Sequence, residues 1–105
     1  MRILFDQGVP APLRDYLTNH TVATAYELAW STLENGILLA EGERAGFELF
    51  ITTDQNLRYQ QNLQARRISI LVLPTTRWPE IRRHTAEVLA AVNGIQLGEF
   101  RELNW

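Results

Sequence analysis

Two short apolar runs that lead to an aspartate constrain this chain more than any other feature. Arg2-Ile3-Leu4-Phe5 runs directly into Asp6, and Phe47-Glu48-Leu49-Phe50-Ile51 passes through Thr52-Thr53 to Asp54. The first is apolar at consecutive positions and too brief for a helix, the pattern of a strand covered on both faces. Ile68-Ser69-Ile70-Leu71-Val72-Leu73, closed by Pro74, is the strongest strand signal in the sequence. Thr21 to Ala25 is rich enough in β-branched residues to form a further strand.

Helical signals fill the intervals. Pro10 and Pro12 open a segment with Leu13, Tyr16 and Leu17 at helical spacing, closed by Asn19-His20. Tyr26 to Asn35 lacks periodicity and reads as a loop leading into a helix over Ile37 to Ala45, with Gly46 as its stop. Leu57 and Leu63 would anchor a short amphipathic helix after Asp54, for which Asp54 is a plausible N-cap. Pro79 to Val92 is predicted as one helix with Ile81, Val88, Leu89 and Val92 facing the core and Asn93-Gly94 ending it; Ile95 to Phe100 alternates like an edge strand.

Strands alternating with helices predict an α/β fold, a three-layer α/β/α arrangement with a mostly parallel sheet and right-handed connections. A length of 105 residues fits one domain spanning 1–105, and a hydrophobic fraction of 46% supports a real core. In such sheets ligands bind at the carboxyl ends of the strands, near the point where strand order reverses. Asp6 and Asp54 both fall at strand carboxyl ends.

Composition narrows the chemistry. With no Cys there are no disulfides, thiolate metal sites or Cys nucleophiles, which is compatible with a cytoplasmic protein. The N-terminus meets a charge after three apolar residues, and no run approaches spanning length, so neither signal peptide nor membrane segment is expected. A net charge of −2 offers no general attraction for nucleic acid. Contact with RNA would depend on local groups such as Arg58, Arg66 and Arg67, in a chain whose ten basic residues are all Arg. A response-regulator-like domain would want a Lys late in the sheet, and the sequence has none. His20 and His84 stand at no recognisable triad spacing, and Trp105 is the best aromatic candidate for an interface contact.

Two carboxylates projecting into one crevice are a way to hold Mg²⁺ or Mn²⁺, hard cations that take oxygen ligands and leave positions for water and phosphate. Each acid also has a structural alternative. Asp6 and Asp54 can cap the segments C-terminal to them, and Glu34 can sit favourably at a helix N-terminus. Thr52 and Thr53 fit best as residues holding a strand end, and Glu27 as a loop anchor.

The segments Ile3-Leu-Phe-Asp-Gln-Gly-Val-Pro10, Tyr26-Glu27-Leu28, Glu34-Asn-Gly-Ile-Leu38 and Ile51-Thr-Thr-Asp-Gln-Asn-Leu57 resemble the compact PIN-like family related to VapC-type toxins, over roughly the first three quarters of the chain. The resemblance implies a metal-dependent ribonuclease using Mg²⁺ or Mn²⁺, an RNA substrate, a small antitoxin-like protein as partner and a homodimer. It makes Asp6, Glu34 and Asp54 the catalytic and metal-binding acids, with Gln7, Asn56, Thr53 and Glu27 as accessory candidates. Gln7 and Asn56 stand where the family commonly has Glu and Asp. Both keep a carbonyl oxygen but lose the charge, which implies a weaker metal site or a domain that binds a partner protein or RNA without cleaving.

Overall fold

The computed structural model describes residues 1–57 and 66–105. Its elements, in chain order, are β1 (Arg2–Phe5), a 3-10 helix (Ala11–Tyr16), β2 (Thr21–Thr24), α1 (Asn35–Arg44), β3 (Leu49–Thr52), β4 (Ser69–Val72), α2 (Trp78–Arg82), α3 (Thr85–Gly94) and β5 (Phe100–Glu102). The strands form one sheet in the order β2-β1-β3-β4-β5, and every pairing is parallel, so the expected mostly parallel sheet is entirely so among these strands.

Strand periodicity divides the core into two. Ile3, Phe5, Leu49, Ile51 and Leu71 point to one face, where they pack with Leu13 and Leu17 around the 3-10 helix and with Ile81, Val88 and Val92 of α2 and α3. Leu4, Phe50, Ile70 and Val72 point to the other, against Leu38 and Leu39 of α1 and against Leu57. Both faces are covered, which explains why the central strands carry no polar alternation. The result is the expected three-layer α/β/α arrangement.

Three expectations need correction. The helix foreseen over 79–92 is two helices, broken at Arg83 and His84; His84 has φ −121°, outside the helical region, and no Pro or Gly marks the break in sequence. The edge strand foreseen over 95–100 is instead a turn through Gly98, at φ 78°, and the strand starts at Phe100. The connections also do not share one hand. β1 to β2 and β4 to β5 both cross the face bearing the 3-10 helix and α3, yet they step along the sheet in opposite directions, so they have opposite hands. β5 is a three-residue edge strand paired only to β4, while the longer α3 packs on the 3-10 helix.

Two glycines matter for geometry. Gly46 takes φ 89° and ends α1 as foreseen. At Gly8 a Cβ would overlap Thr53 Oγ1, so the loops leaving β1 and β3 meet at their bases only because residue 8 has no side chain. No helix among the described residues is long and apolar enough to cross a membrane.

Candidate functional site

Strand order reverses between β1 and β3: the chain leaves β1 toward β2 on one side and later proceeds from β3 to β4 on the other. The segment after β1 packs Leu13 and Leu17 on one face, and the segment after β3 packs Leu57 on the opposite face. Asp6 follows β1 and Asp54 lies two residues past β3 at this reversal, and Asp6 lines the cavities that open there.

Asp6 directly extends β1. Its N–H donates to Ile51 O at 2.9 Å, carrying the β1–β3 ladder one residue past the strand. Its carboxylate accepts from Gln7 N at Oδ1 (2.7 Å) and from Thr52 Oγ1 at Oδ2 (2.7 Å). The Thr52 hydroxyl in turn accepts from Asp54 N at 3.1 Å, so one fully buried side chain links the two acids. The Asp54 carboxylate accepts from Asn56 N at Oδ1 (2.9 Å) and from Asn35 Nδ2 at Oδ2 (2.6 Å). Its bond to Asn56 N and the backbone bond from Leu57 N to Asp54 O form the turn expected of a cap.

Glu34 precedes α1, and its carbonyl accepts from Leu38 N at 2.8 Å while its side chain makes no cap bond. Exposed Glu34 lines, with Asp6, Gln7, Trp30, Ser31 and Asn35, a cavity of about 360 Å³ on the α1 side of the sheet. Two of the three predicted acids thus face one space, and Asn35 ties the third to its wall. The polar lining offers only carboxylate, amide and hydroxyl groups besides the Trp30 indole, and oxygen donors suit a hard cation. Among the described residues no three His, Cys, Asp or Glu side chains group closely enough to hold a metal ion. What the donor set fits is an ion carried by one or two carboxylates with water and phosphate completing its shell.

The accessory candidates separate. Gln7 lines the cavity beside Asp6, and the Asn56 backbone holds Asp54 while its side chain lies on an exposed residue. Thr53 abuts Gly8, and its carbonyl accepts from Gln55 Nε2 at 3.2 Å, a structural position. Glu27 is tied into its own loop: both its carboxylate oxygens accept from Arg14, Oε1 also accepts from Thr24 N at 2.9 Å, and Glu27 N donates to Thr24 Oγ1. The Arg14 bond, and after it the Thr24 N–H, holds the Glu27 carboxyl below its ordinary pKa. It is the loop anchor the sequence favoured.

Arg66 donates to Gly36 O at 3.4 Å, and Arg67 N donates to Glu43 Oε2 at 3.3 Å. With Arg44 they line a separate cavity along α1, and neither lines the space at Asp6. Arg58 lies outside the described residues, as does Leu63. Trp105, half-buried, stacks on His84 with centroids 4.5 Å apart and donates from Nε1 to Glu80 Oε2 at 3.1 Å. His20 joins Met1 N at 3.0 Å to Asn93 Oδ1 at 2.7 Å, a structural role.

Sequence reasoning missed Asn35 and Arg14 as positioning residues. Asn35 carried one legible signal, an amide beside an acid at a helix start. Arg14 carried none, because its partner is thirteen residues away on another loop. Comparison of the chain with family models, curated proteins and solved structures gives no match.

Proposed function

We propose that this chain is a PIN-like, metal-dependent ribonuclease domain, a toxin-type component held by a small antitoxin-like protein. The observation that carries the reading is the pairing of Asp6 and Asp54 through Thr52 at the reversal of strand order, with Glu34 facing the same cavity as Asp6. Mg²⁺ or Mn²⁺, when bound, would polarise a phosphodiester and lower the pKa of a water that attacks it. Asp6 and Asp54 would hold the ion, each carboxylate oxygen keeping a lone pair beyond the one hydrogen bond it accepts. Thr52 and Asn35 fix the orientation of these carboxylates, and Glu34 supplies charge at the cavity wall. The resemblance in sequence further implies a homodimer, and the absence of Cys is compatible with a cytoplasmic location.

Purified protein incubated with single-stranded RNA and Mn²⁺ tests this. Internal cleavage abolished by a chelator and by Asp6→Asn is the expected result. Cleavage indifferent to both would exclude the mechanism.

A second reading, an inactive PIN-like domain that binds RNA or a partner protein, is favoured by Gln7 and Asn56, which lower the charge near the acids, and by the lack of a three-acid group among the described residues. It predicts RNA or partner binding without cleavage at any Mn²⁺ concentration.

A further inference from the structure

Asp6 and Gln7 line two cavities, not one. Besides the space on the α1 side, a larger cavity of about 680 Å³ opens on the 3-10 helix side, walled by Val9, Pro10, Pro12, Arg14, Asp15 and Tyr26 among others. The end of β1 is therefore a ridge between two hollows. Tyr26 is 78% exposed although it lines a cavity to which Val9, Pro10, Ala11 and Pro12 contribute an apolar part and Asp6, Arg14, Asp15 and Glu27 a charged one. A tyrosine ring this exposed beside Val9, Pro10 and Pro12 leaves surface on which a second ring can stack. Its loop is fixed: Glu27, next to it, is clamped by Arg14 and Thr24, and Ala29 holds φ 60° in the adjoining turn.

The charges choose between possible flat ligands. Asp6, Asp15 and Glu27 line this cavity against one cation, Arg14, which Glu27 already engages. A phosphate would be repelled here. A base edge carrying an amino group would be accepted, because a carboxylate takes hydrogen bonds from an exocyclic amine. Asp15, exposed at the rim, is placed to do so, while the two oxygens of Glu27 are committed to Arg14 and Thr24.

We propose that this cavity is a subsite for one unstacked nucleobase of a single-stranded RNA, stacked on Tyr26 and read at its amino edge by Asp15. The subsite prefers cytosine or adenine to uracil, whose corresponding edge presents an acceptor to the carboxylate. It rests on the ribonuclease reading of the adjoining acids, and it adds which base lies next to the phosphate held at Asp6. A strand crossing the β1 ridge would place its backbone at Asp6 and drop a base into the larger hollow.

Binding of fluorescent oligocytidine and oligouridine hexamers, monitored by anisotropy with Ca²⁺ in place of Mg²⁺, tests the subsite. Mn²⁺ titration of the wild type reports separately on the acids. Wild-type protein should bind oligocytidine more tightly than oligouridine. Tyr26→Ala should weaken oligocytidine about tenfold or more, the loss expected when a base loses its aromatic platform. Tyr26→Phe should restore most of it, and Asp15→Asn should narrow the difference between the two RNAs. Leu97→Ala, equally exposed in the turn before β5, is the surface control and should change nothing. If the wild type takes up Mn²⁺ and binds RNA while Tyr26→Ala binds oligocytidine unchanged, the subsite is wrong and the ribonuclease reading stands. If the wild type binds neither Mn²⁺ nor RNA, both fall together.

Discussion

The Thr52 hydroxyl donates to Asp6 Oδ2 at 2.7 Å from a side chain with no solvent exposure, and the same oxygen accepts the Asp54 amide at 3.1 Å. A single buried oxygen thus registers two acids that are 48 residues apart in sequence. Thr52→Val keeps the shape and the β-branched character of the strand but removes both bonds. It should cost about 1–3 kcal/mol, because the half-buried Asp54 amide is left without its acceptor and Asp6 loses a donor. For a domain of this size each kilocalorie lowers Tm by roughly 4–8 °C. Thr52→Ser, which keeps the hydroxyl, should retain wild-type Mn²⁺ affinity although it loses a buried methyl. A Val variant that melts and binds metal like the wild type would remove Thr52 from the site.

Gly8 and Thr53 test whether the two site loops rest on one another. Gly8→Ala drives a Cβ into Oγ1 of the half-buried Thr53, so one of the two must shift. Overpacking of this kind costs about 1–3 kcal/mol. Adding Thr53→Ala should recover most of the loss, giving a favourable coupling in a double-mutant cycle. Losses that simply add would show that the loops do not press together.

Much of this arrangement was legible in the sequence, for identifiable reasons. β1, β3 and β4 are central strands buried on both sides, so uninterrupted apolar runs such as Ile3-Leu4-Phe5 announce them, and with them the acids beyond their ends. β5 is paired on one side only and half-buried throughout, which erases that signal; the alternation at Ile95 to Phe100 then marks a turn that buries Ile95 and no strand. The break at Arg83-His84 left no trace because both residues tolerate a helix, and it arises where the His84 ring stacks on Trp105, a contact between distant positions. The same distance hid the Arg14–Glu27 clamp and the partner of Asn35, whose place beside an acid at a helix start was legible while its bond to Asp54 was not.

The Arg14–Glu27 clamp predicts a pH dependence. The bond from Arg14, and then that from Thr24 N, depress the Glu27 carboxyl below its ordinary value of 4.5. A depressed carboxyl contributes stability that is fully present above that value and is lost as pH falls through the lower folded value. Glu27→Gln should therefore melt below the wild type at neutral pH, by a small margin because the pair is exposed, and the two should converge as the pH falls below 4.5 and through the lower folded value. A gap that persists or widens in acid would assign the effect to something other than the carboxylate.

Calorimetric titration of Mn²⁺ into the wild type, Asp6→Asn and Asp54→Asn is the most direct test of whether the linked acids form a metal site. One ion per chain should bind to the wild type, and each substitution should abolish or sharply weaken that binding while leaving the fold intact by circular dichroism. Absence of binding to the wild type, or binding that survives both substitutions, would contradict the assignment of Asp6 and Asp54 as the functional centre of a metal-dependent ribonuclease.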